Sequence, residues 1–160
     1  MKLGQLIAAT IALVKAGATA GTTTTYTTTA AVVAMIAGVF ASSFGTKTNQ
    51  ATPTTDGRTG AAFPVVAKNK GTVLVWGFTA DATVKLLQGS IENLDVATGG
   101  FKTYPQFPEV PDTIVPFAYT LIQNGDTGSN WTAGASNWDA TGITDTWVDI
   151  GVLPARPVGA

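Results

Sequence analysis

Residues 72–78 read T-V-L-V-W-G-F, and this run limits the fold more than any other part of the chain. Successive side chains of a strand point to opposite faces of its sheet. Leu74, Trp76 and Phe78 therefore share one face, and Val73 and Val75 share the other. Both faces are apolar. Such a strand is central in its sheet or covered on both sides. Residues 79–82, T-A-D-A, supply a turn, and T-V-K-L-L-Q over residues 83–88 returns as the second strand of a hairpin.

Further strands follow. Residues 114–123 alternate Phe117, Tyr119 and Leu121 against Ala118, Thr120 and Ile122. Pro116 lacks a ladder donor, which suits a strand start or an edge. Asn124-Gly125-Asp126 opens a turn. The last strand covers residues 144–150, with Val148 and Ile150 towards the core and Asp145, Trp147 and Asp149 outward. Between the hairpin and residue 114 lies Y-P-Q-F-P-E-V-P, residues 104–111. Prolines at every third position keep the period of polyproline II, so this is a stiff connector fastened by Tyr104 and Phe107.

Upstream, residues 22–29 are nearly all threonine around Tyr26, a fair strand because the branched Cβ restricts χ1. Residues 30–40, A-A-V-V-A-M-I-A-G-V-F, are read as two strands with a tight turn near residues 37–38. A buried helix is the alternative there, since periodicity alone does not separate the two. Residues 45–62 are polar, with an Asp56-Gly57 turn signal, and are expected to form a long loop. At the N-terminus, Leu3, Leu6, Ile7, Leu13 and Val14 recur at helical spacing among alanines, with Gly17 as a stop. This predicts a helical arm over residues 1–21 and a β domain over residues 22–160. A secretory leader ending at Ala18-Thr19-Ala20 is the competing reading, weakened by Gln5, Thr10 and Lys15. The apolar stretch is shorter than the roughly 20 residues that cross a bilayer.

The fold class expected is mainly β: an antiparallel sandwich or small barrel with an N-terminal helical arm. Only 12% of the 160 residues are charged and the net charge is −1. Typical domains carry about 25% charge, so much of this surface is expected to lie against other protein. The nine basic residues form no run, which speaks against nucleic acid and anionic membrane as partners. Cysteine and histidine are absent. Disulfides, thiolate catalysis and Ser-His-Asp hydrolysis are thereby excluded. The oxygen donors Asp126, Asn130, Asp139, Asp145 and Asp149 do not have the spacing of an EF-hand loop. No catalytic motif, cofactor motif or metal site is identified. Trp131, Trp138 and Trp147 are interface candidates, since tryptophan is enriched at hot spots and on sugar platforms.

Val115 to Tyr119, Trp131 to Asn137, Thr141 to Thr144 and Asp149 to Pro157 resemble the C-terminal part of small capsid-associated proteins of tailed bacteriophages. The resemblance spans roughly residues 65–157. It implies a head decoration or cement protein on the outer surface of the capsid, with the major capsid protein and copies of itself, as a trimer, for partners. It implies no reaction. Leu3, Leu6, Ile7, Leu13 and Val14 would then pack between subunits. A glycan-binding β module of a head fibre is the alternative, with Trp131 or Trp138 exposed on a platform.

Overall fold

A computed structural model describes residues 10–36 and 38–158. The described residues are mainly β, with three antiparallel sheets among them, none closed into a barrel. The largest has the order β10-β9-β7-β8. Here β7 is Lys70–Phe78, β8 is Val84–Asn93, β9 is Val115–Asn124 and β10 is Ile143–Asp149. The strand read as central is central: β7 lies between β8 and β9, and its residues from Gly71 to Phe78 are all buried.

Two smaller sheets are interleaved along the first third of the chain. One has the order β1-β4-β5, from Ile11–Ala12, Val32–Ile36 and Val39–Phe44. The other has the order β2-β3-β6, from Ala18–Ala20, Thr25–Thr28 and Lys47–Ala51. The β4–β5 hairpin turns at Gly38, as read, with Ile36 opposite Val39 and Gly38 at φ 80°. A left-handed backbone there suits glycine, which has no Cβ to clash. In the threonine-rich strand, Tyr26 and Thr28 point inward while Thr25 and Thr27 stay partly exposed.

The helical arm is not found. Among the described residues, positions 10–21 carry β1 and β2 and no helix. Alanine favours helices only weakly, and tertiary pairing overrides such propensities. Ala12, Ala16 and Ala18 are small enough to sit under the sheets, and all three are buried in the main core. Leu3, Leu6 and Ile7 lie outside the described residues. The long loop expected over residues 45–62 contains β6, whose partner is the threonine strand β3.

Two cores flank the four-stranded sheet. The first, a sandwich-like layer, joins Leu74, Trp76 and Phe78 to Val32, Ala34 and Phe44 of one small sheet and Tyr26 of the other. The second joins Val73, Val75, Leu87, Tyr119 and Leu121 to Ile150, with Phe101, Phe107 and Leu153 packed against it. The connector after residue 101 and the C-terminal tail thus cover what would otherwise be a bare apolar face.

Phe117 departs from simple alternation. Trp76 pairs with Ala118 but Gly77 pairs with Pro116, so Phe117 is the extra residue of a bulge. It turns into the first core, with its ring centroid 5.4 Å from that of Phe44, while Tyr119 faces the second. Pro116, the second residue of β9, lies beyond the last β10 pair, Asp149 with Ala118.

The connector comes close to the sheet at Gly89. Ser90 N–H donates to the Gln106 carbonyl at 3.1 Å, and Ser90 Oγ accepts from Gln106 N–H at 2.9 Å. A Cβ on Gly89 would overlap that carbonyl oxygen and stand 2.7 Å from Val73 Cγ1. Gly89→Ala is expected to destabilise the protein by about 1–3 kcal/mol, the usual size of an overpacking defect. Gly45→Ala, where a Cβ meets nothing within 4 Å, is the control. Urea unfolding midpoints measure both, and equal midpoints would remove the connector from the account of the second core.

Candidate interaction surface

All four tryptophans of the chain belong to one cluster. Trp147 stacks on Trp76 with centroids 5.1 Å apart, Trp138 meets Trp147 edge-on at 5.2 Å, and Trp131 lies 5.4 Å from Trp138. Every indole N–H is satisfied. Trp76 donates to Thr120 Oγ1 at 2.8 Å, Trp131 to the Asn137 carbonyl at 3.0 Å, Trp138 to the Thr25 carbonyl at 2.8 Å and Trp147 to Asp145 Oδ2 at 2.6 Å. Trp131 and Trp138 are buried, so neither offers a ring face to a sugar or a partner. Trp147 is half-buried and faces the first core rather than solvent. The alternation of β10 is as read, with Val148 against the second core. The outward assignment of Trp147 fails because both faces of this sheet are covered.

The loop after β9 is shaped around a buried amide. Asn124 has no exposed surface and donates to the carbonyls of Val66 at 2.9 Å and Ser129 at 2.7 Å. Val66 and Trp131 exchange backbone hydrogen bonds of 2.8 and 3.0 Å. These bonds place Trp131 under the sheet. The candidate calcium donors are dispersed by contrast. Asp126 pairs with Lys68, Asp145 holds the Trp147 indole, and Asp149 accepts from Ala18 N–H at 3.0 Å. Among the described residues no group of three or more carboxylates is placed to hold a metal ion.

Exposed apolar side chains gather elsewhere, on the outer face of the β1-β4-β5 sheet. Ile11 pairs with Met35, and Met35 pairs with Phe40. Leu13 N–H donates to the Val33 carbonyl at 2.8 Å, extending that register by two residues. Paired residues of neighbouring strands share a face. Ile11, Leu13, Val33, Met35 and Phe40 therefore form one apolar surface, and neither buried core contains them. Phe40 is 70% exposed and Leu13 47%. Val14 and Val39 are exposed as well, but Val39 pairs with Ile36, which packs against the first core, and so belongs to the opposite face. Beyond it, β5 is an edge strand whose sequence, V-F-A-S-S-F, has no charge. Edge strands normally carry charge, proline or a bulge that blocks pairing with another chain, and of these β5 has a bulge, between its pairs with Val32 and Ala34.

Leu13 thus belongs to this surface through its bond to the Val33 carbonyl, and both Leu13 and Val14 lie in a bend after β1, not on the stripe of a helix. Ile11, Val33, Met35 and Phe40 were not singled out by sequence. Their signal was available: residues 32–36 are apolar in both parities, as β7 is, but only one parity faces a buried core. No family model, curated protein or solved structure matches the chain.

The dryness of the tryptophan cluster has a titration consequence. Tyr26 lies 4.9 Å from Trp76, and burial pushes its phenol from 10.0 up to about 12. Below pH 10.0 the phenol is protonated in the folded and unfolded chain alike. As pH rises from 10.0 to about 12, the unfolded chain ionises first, so its contribution to stability is lost over that range. Tyr26→Phe is expected to flatten the alkaline fall in stability. Urea midpoints measured on either side of pH 10.0 for both proteins check this. Parallel alkaline limbs would show that Tyr26 is hydrated.

Proposed function

We propose that this chain is a virion structural protein: a head decoration or cement protein that binds the outer surface of an assembled phage capsid as a homotrimer. Its partners in this reading are the major capsid protein and copies of itself, and it performs no reaction. The observation that carries the reading is the uncharged face of Ile11, Leu13, Val33, Met35 and Phe40 beside the uncharged edge of β5. Contiguous exposed apolar surface of this kind marks a protein contact. The resemblance of residues 65–157 to capsid-associated proteins supplies the kind of partner.

The mechanism is mass action. A protein that binds only the assembled shell stabilises it by RT ln(1 + [L]/Kd) at each site. A trimer touching several capsomers adds avidity without stronger single contacts. The glycan-platform alternative loses its basis at Trp131 and Trp138, which are buried.

Deleting residues 1–20 would remove the buried Ala12, Ala16 and Ala18 and so confound docking with folding. Leu13→Glu combined with Phe40→Glu leaves both cores intact. Each full burial of such a side chain is worth about 1.5–3 kcal/mol, so the double variant should bind heads more than about ten-fold more weakly. Co-sedimentation with purified phage heads and analytical ultracentrifugation read the two contacts. A folded double variant that still decorates heads and stays oligomeric would remove this face from the proposal.

A further inference from the structure

Tyr119 anchors two separate segments on the far side of the central sheet. Phe107 of the connector packs edge-on against its ring, with centroids 5.2 Å apart. Its hydroxyl donates to the Val158 carbonyl at 2.8 Å and accepts from Val158 N–H at 3.2 Å. Connector and tail are therefore held as the two walls of one groove of about 550 Å³. Thr103, Tyr104 and Gln106 line one wall, and Arg156 and Pro157 the other. The volume falls in the range of small-ligand sites. Tyr104 is 44% exposed and, among the described residues, is the one aromatic side chain besides Phe40 in the set of exposed large apolar residues. Arg156 is exposed and has no ion pair or hydrogen bond among the described residues.

We propose that this groove is a binding site for an acidic carbohydrate, a glycan bearing uronic-acid carboxylates. The Arg156 guanidinium is the carboxylate partner, in the bidentate geometry that arginine favours. The Tyr104 ring is the face on which a pyranose stacks. Thr103 and Gln106 supply hydrogen bonds to ring hydroxyls. An extended peptide fits the same groove less well. Gln106 has already spent its N–H and carbonyl on Ser90, and Pro105 and Pro157 have no N–H. The walls therefore offer side-chain tips rather than a backbone ladder, and strand addition needs the ladder. This inference is independent of the virion reading, because the groove and the β1-β4-β5 face lie on opposite sides of the central sheet.

Titration calorimetry with tetragalacturonate, neutral cellotetraose and tetraglutamate tests the site, with NMR shifts mapping contacts on the unsubstituted protein. The expected result is that tetragalacturonate binds and moves the Tyr104 and Gln106 resonances. Arg156→Gln and Tyr104→Ala should each weaken it by about ten-fold or more, and cellotetraose should bind no better than tetragalacturonate binds to Arg156→Gln. Both side chains are exposed, and near-UV circular dichroism checks that the variants keep the tryptophan cluster. Absence of tetragalacturonate binding, or binding that ignores Arg156→Gln, overturns the proposal. Equal binding of tetraglutamate overturns it in favour of an acidic-peptide site.

Discussion

Trp76 has no exposed surface and one polar atom, and much of the structure is arranged to satisfy both conditions. Its ring is stacked by Trp147 from β10 and met by Tyr26 from β3 and Trp138 from the loop between β9 and β10. Its N–H is taken by Thr120 on the adjoining strand. Aromatic pairs of this kind add about 0.5–1.5 kcal/mol each beyond the area they bury. The larger effect is connectivity. Trp138 ties its loop to the threonine strand through the Thr25 carbonyl, and Asp149 ties β10 to β2 through Ala18. The β2-β3-β6 sheet is thereby fixed to the large one by a few part-buried hydrogen bonds.

The other face of the large sheet is closed without a second sheet. A proline-rich connector and a short tail do the work, held at Gly89, Ser90 and Tyr119. Proline segments suit this role because they are already extended and lose little entropy on docking. The groove between them follows from the same economy: two strips laid side by side leave a furrow that two strands of a sheet would have closed.

Few ion pairs support any of this. Arg58–Glu109 and Lys68–Asp126 are both on the surface, where such pairs contribute little. Asp56 illustrates what the remaining charges do instead. Burial opposes its ionisation, but N–H groups of Thr59, Arg58 and Gln88 and the Thr59 hydroxyl outweigh burial and hold its carboxyl below the usual range. That carboxylate fixes a turn against β8, with Gly57 N–H on the Leu86 carbonyl at 2.8 Å. Charge is used to pin loops, and the outer face of β1-β4-β5 is left without it.

The sequence by itself determined the β class, the β7–β8 hairpin, the two-sided burial of β7 and the turn at Gly38. These are local consequences of alternation, β-branching and glycine, and no distant contact is needed to state them. Only the tertiary structure decided that residues 10–21 carry two short strands, that Phe117 leaves its row, and that Trp147 points inward. Each depends on a partner far along the chain. Helical spacing in an alanine-rich segment says nothing of the Val33 carbonyl waiting beside Leu13. Strict alternation in β9 does not foresee a bulge opposite Gly77. An apolar strand reports that it will be covered, but what covers each face is a property of the other strands, and the same reason hid the exposed row from Ile11 to Phe40.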